Sequence, residues 1–184
     1  MKRVFVLAVA AACMAMACSP KEEVSGVAAE IARQEKERSA KLAAAESAVQ
    51  NCIALAQSGK GLATTASGLR WAATKPGNKA LAAPKAEDVV RVHYIGALMD
   101  GKVFDSSYSR GEPAEFPLGQ VVPGWTEGLQ LAPPGGALCL IIPPELGYGE
   151  AGAGGDIPPN SVLAFHVELL GFTQPDGNRV GAFD

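Results

Sequence analysis

At 184 residues with a net charge of −3 and only two histidines, the chain has neither the basic surface of a nucleic-acid binder nor a His- or Cys-rich cluster for zinc. Hydrophobic residues make up 48%, which suits one domain with a real core plus an appendage. The 21 Gly and 13 Pro point to a loop-rich domain built on sheet.

Residues 1–17 read as an export signal. Lys2 and Arg3 form a basic start, the run 4–14 is apolar and uncharged, and Ala15-Met16-Ala17 offers a small-x-small cleavage pattern. The run is too short for a permanent membrane span. Cys18 follows directly, and Ala15-Met16-Ala17-Cys18 resembles a bacterial lipobox, with Ala15 where Leu is usual. Lipid attachment at Cys18, with SPKEEVSG as tether, is expected. It implies an outer-membrane lipoprotein of the cell envelope facing the periplasm; the alternative is a soluble exported protein. Cys13 leaves with the signal, so Cys52 and Cys139 remain as an even pair in an oxidising compartment.

Residues 18–65 hold the tether and a helical segment. From 24 to 57 the chain is rich in Ala, Glu, Lys and Arg. Val24, Ile31, Leu42, Val49, Ile53 and Ala56 form an apolar stripe that Glu35 and Arg38 interrupt. The pattern predicts a helix packed through its C-terminal half. Dimerisation through this helix as a coiled coil is the other reading, and the interrupted heptads weigh against it.

After a small polar connector at 58–67, strand patterns begin. Val90, Val92 and Tyr94 alternate with Arg91, His93 and Ile95. Asp100-Gly101 marks a turn into Val103-Phe104; residues 115–118 suit a short strand, and 124–131 a short helix stopped by Pro133-Pro134-Gly135-Gly136. Residues 137–142 are apolar on both faces, which requires cover on both sides. The helix ending near Ala56 is the available cover for the face holding Ala137, Cys139 and Ile141. A Cys52–Cys139 disulfide joining helix to sheet is therefore expected, with two buried free thiols as the alternative. Residues 143–160 form a Gly/Pro loop, 162–172 a last strand, and 174–184 a frayed C-terminal tail.

Between His93 and Leu170, aromatic residues sit beside Gly and Pro without a nucleophile–base pair. No G-x-S-x-G elbow, phosphate loop or dinucleotide fingerprint is present. An apolar pocket without a reactive group suits a peptide segment, and one reaction needs no nucleophile: rotation about an Xaa-Pro bond. That barrier, ~18–20 kcal/mol, comes from amide resonance, which an apolar site that favours the twisted amide lowers.

The strings VHYIGALMDGKVFDSS, VVPGWTEGLQL and PPELGYGEAGAGGDIPPNSVLAFHVELL closely resemble the FKBP-type peptidylprolyl isomerases, specifically bacterial envelope members. The resemblance covers about residues 66–172, within a domain placed at 66–173. It implies an α+β fold, an antiparallel sheet wrapped around a short helix, here preceded by the N-terminal helix. It also implies no cofactor, no metal, substrates with exposed Xaa-Pro bonds in folding envelope proteins, and macrolide inhibitors such as rapamycin. By the same resemblance Trp125 forms the pocket floor, with Tyr94, Phe104, Val121, Val122, Ile157 and Phe165 as walls. Tyr148 donates to a substrate carbonyl, Asp105 acts near the twisting amide, Arg110 orients Tyr94 and Asp105, and Phe116 supports from behind. Ala114 and Ala153, where relatives carry larger side chains, imply an open rim. The competing readings are a proline-segment-binding chaperone and a scaffolding lipoprotein with incidental turnover.

Overall fold

The computed structural model describes residues 20–183, and the predicted signal and Cys18 lie outside them. The chain divides into two compact units at Lys36/Glu37. Helix α1 (Pro20–Ser58) runs through that boundary. Its residues 26–36 are exposed, Val27 and Ile31 among them, and an Arg33–Glu30 ion pair at 3.2 Å lies along its surface. The second compact unit begins within the helix, at Glu37.

From Glu37 onward the helix turns apolar on one side. Ala45, Val49, Cys52 and Ala56 recur at four, three and four residues, and all are buried. This stripe packs on Ile95, Ala97, Cys139, Ile141 and Ala164, the back face of the sheet. The two-faced apolar pattern at 137–142 is thus explained, since every residue of that strand is buried.

The sheet is antiparallel: β1 (Ala63–Thr64), β2 (Arg70–Lys75), β3 (Val89–Leu98), β4 (Val103–Ser106), β5 (Ala114–Pro117), β6 (Ala137–Ile142), β7 (Leu163–Thr173) and β8 (Arg179–Gly181). The spatial order is β1-β2-β6-β7-β3-β4, with β5 on β3 and β8 on β7. One turn of helix, α2 (Ser107–Arg110), follows β4. Helix α3 (Pro123–Leu129) lies against the front face. Pro123 at its start pre-sets the backbone, and Trp125 and Leu129, one turn apart, are both buried. Gly128 lets α3 approach, because a Cβ there would meet Leu140 at 2.8 Å. Val90, Val92, Leu138, Leu140, Leu163, Val167 and Leu169 complete this front core.

Two expectations fail. The connector contains β1, paired to β2. The tail is not frayed: Pro175-Asp176-Gly177 forms a turn closed by Gln174 N–H to Asn178 O at 2.8 Å, and β8 pairs with β7. That turn signal outweighs the weak strand pattern around it. Phe183 then lies under the guanidinium groups of Arg179 and Arg91, at 5.0 and 5.8 Å.

Candidate active site

The front face opens into a cavity of about 350 Å³. Strand alternation builds it: β3 sends Tyr94 forward and His93 back, and β7 sends Phe165 forward and His166 back. Trp125, from α3, is 4% exposed and makes edge-to-face contacts with Tyr94 (5.1 Å), Phe165 (5.3 Å) and Phe116 (5.8 Å). Phe104 of β4 stands edge-on to Phe165 at 5.5 Å. Gly96 makes room for that pair, since a Cβ there would lie 2.5 Å from Phe165 and 2.7 Å from Phe104.

One polar cluster interrupts the aromatic wall. The Tyr94 hydroxyl donates to Asp105 Oδ2 at 2.5 Å; Arg110 donates from Nη1 to Asp105 Oδ1 at 2.6 Å and from Nη2 to Tyr94 Oη at 2.7 Å. Burial, then the bond to Asp105, pushes the Tyr94 phenol up to about 12, so it stays a neutral donor. The Arg110 guanidinium is raised, with the bond to Asp105 as the largest cause. Asp105 is thus more than a turn cap: it is held from both oxygens at the cavity edge.

The cavity brings together Tyr94, Phe104, Asp105, Val121, Val122, Trp125, Tyr148 and Phe165 of the residues singled out in the sequence. Tyr148, 40% exposed, stands on the loop between two short 3-10 turns. Ile157 is buried in the adjoining core rather than on the cavity lining, and Arg110 acts through Asp105 and Tyr94. Phe116 needs correction: it lines the cavity. Its strand pairs Phe116 with Val90, which sends the ring to the front face, 5.9 Å from Tyr94. Gln120 and Gly96 were not singled out. The spacing of Gln120 before Val121-Val122 carried no signal, whereas a glycine inside a strand pattern could have marked Gly96. Ala114 and Ala153 are half-buried and pack against the front core.

Behind the sheet, Cys52 and Cys139 lie with Cα atoms 5.5 Å apart, within disulfide reach. Among the described residues, no three His, Cys, Asp or Glu side chains are placed to hold a metal, and no helix is long and apolar enough to cross a membrane.

An antiparallel sheet folded over a short helix, with an aromatic cavity floored by a tryptophan, defines an FKBP-like protein. Residues 81–170 match the family described as FKBP-type peptidyl-prolyl cis-trans isomerase. The chain is 53% identical over 122 residues to the FKBP-type peptidyl-prolyl cis-trans isomerase FkpA of Aeromonas hydrophila, covering 65% of this chain and 44% of that protein. It is 55% identical over 111 residues to the FKBP-type 22 kDa peptidyl-prolyl cis-trans isomerase of Escherichia coli, covering 60% and 53%. The crystal structure of FkpA from Escherichia coli superposes with a TM-score of 0.60 at 40% identity, covering 90% of this chain and 75% of that one. The chain belongs to the FKBP-type peptidyl-prolyl cis-trans isomerase family. It spans about half the length of the curated relatives it matches.

Proposed function

We propose that this chain accelerates cis–trans rotation of Xaa-Pro bonds in proteins folding in the cell envelope. The observation that carries this reading is the Tyr94–Asp105–Arg110 cluster at the edge of a cavity floored by Trp125. A proline ring enters the cavity over Trp125, against Tyr94, Phe104, Val121, Val122 and Phe165. Its amide leaves water and enters a setting that favours the twisted, less polar form over the planar one. Asp105, oriented by Arg110 and Tyr94, faces the carbonyl carbon side of the rotating amide, and Tyr148 donates to a neighbouring substrate carbonyl. No bond is made or broken beyond the rotation.

The test is an isomerisation assay on a series of Xaa-Pro peptides, with and without rapamycin. Acceleration that rapamycin suppresses is expected. A rate no faster than the uncatalysed one, with peptide still bound, would leave a proline-segment-binding chaperone instead.

The remaining assignments rest on the sequence. Residues 1–17 act as the signal peptide, 18–65 as tether and helix, 66–173 as isomerase domain and 174–184 as C-terminal segment. Cys18 carries the lipid that holds the protein on the outer membrane, facing the periplasm, where Cys52 and Cys139 are oxidised to a disulfide. Metabolic labelling with a fatty acid tests the anchor; an unlabelled protein found wholly in the soluble periplasmic fraction refutes it.

A further inference from the structure

A second cavity, about 570 Å³, lies on the opposite side of the sheet, between α1 and strands β3 and β7. Its size falls in the range of small-molecule sites. Ala45 and Ala48 of α1 form one wall; His93, Tyr108, His166 and Glu168 form the other. His93 faces Glu168 across β3 and β7, and His166 lies two residues before Glu168, so all three share one sheet face.

Two polar atoms buried in this lining have no partner. Ser107 Oγ accepts from Tyr94 N–H at 2.8 Å and points its own hydrogen to Tyr94 O at 3.3 Å. His93 Nδ1 lies 3.0 Å from the same Ser107 Oγ. Burial lowers the His93 pKa, which favours the neutral ring. His166 turns Nε2 toward Glu168 Oε1 at 3.8 Å and keeps Nδ1 on the other side of its ring. That Nδ1 and the Tyr108 hydroxyl are buried with no hydrogen-bond partner, in residues each 7% exposed. Glu168 is held ionised by His166 beside it. The lining thus holds an ionised carboxylate beside two buried polar atoms that have no partner, a costly arrangement in a buried site. Lys41 at the rim is already paired with Glu37 at 2.8 Å. Lys75 and Arg91 act on Glu168 and His93 electrostatically but do not line the cavity.

We propose that this cavity binds an organic cation, an alkylammonium or guanidinium group, with its N–H donors on Glu168, Tyr108 and His166 and its methylenes along the alanine wall. The His93–Tyr108 stack, 4.7 Å between rings at 17°, forms the aromatic part of the same lining. The group can come from a free polyamine or from a lysine or arginine side chain of a polypeptide.

The experiment is a ¹H–¹⁵N NMR titration of the full chain, with putrescine in one arm and a short proline-free lysine peptide in the other. Saturable shifts at Ala45, Ala48, Tyr108 and His166 are expected, with the tighter arm identifying the source. Glu168→Gln should weaken binding by about tenfold or more, since a charged hydrogen-bond acceptor is lost. Tyr108→Phe, which removes only the unpaired hydroxyl, should weaken it several-fold and decides the matter if Glu168→Gln unfolds. No saturable shift in either arm, wild-type affinity in the folded variants, or saturation by zinc ion in place of amine overturns the proposal. The readout does not involve turnover, so it stands or falls separately from the isomerase reading.

Discussion

Asp105 is the acceptor that Tyr94 and Arg110 share, with each of its oxygens taken by a group that also touches the other. Asp105→Ala removes the acceptor common to Tyr94 and Arg110. The variant should lower kcat/KM on the order of ten- to a hundredfold, through lost positioning, with an unchanged circular-dichroism spectrum. Tyr148→Phe removes one exposed donor, so a smaller fall is expected, about two- to tenfold in the same assay. Gly96→Ala should cost ~1–3 kcal/mol in urea unfolding, because its methyl meets two rings that cannot both retreat. His93 supplies a pH dependence. Its folded pKa lies below the ordinary 6.5, chiefly through burial, so the native state binds its proton less readily than the unfolded chain. Stability from this group is complete above pH ~6.5 and is lost as pH falls toward the folded value. Unfolding midpoints at pH 7.5 and 5.5 should therefore converge in His93→Gln relative to wild type. Of these residues, Asp105 and Tyr148 were legible through family strings, whereas the role of Gly96 depends on two rings distant in sequence.

At the scale of elements, α1 does the most that local pattern left open. Its stripe from Ala45 to Ala56 was readable as a periodicity, but its partner surface was inferable only because 137–142 is apolar on both faces. Ile53→Ala should cost about 2–5 kcal/mol, since Ile53 is 4% exposed against the sheet. With Cys52 joined to Cys139, reductant or Cys52→Ala should lower stability by about 2–4 kcal/mol; equal melts with and without reductant would count against the bond. The same helix reaches the site's scaffold: Arg38 donates to Ser109 O in α2, the single turn that ends in Arg110. A charged residue at that position serves a carbonyl at the end of α2 rather than the core.

For the whole molecule, the compact unit begins at Glu37, so a chain starting there should keep its cooperative melt, while one starting at Gly59 should expose the back face and aggregate. Strand order, the placing of β8 and the depth of both cavities were not legible, because antiparallel pairing between distant segments leaves no mark on local periodicity. The sequence by itself determined the alternating strands, the amphipathic half of α1, the short helix carrying Trp125 and the family of the front site. These depend on neighbours within a few residues or on long matching strings. Only the tertiary structure decided that Phe116 lines the cavity, that Ile157 is buried in the adjoining core, and that His93, Tyr108, His166 and Glu168 meet behind the sheet. Each of those turns on which face a strand presents once paired, and register is settled between strands, not within one.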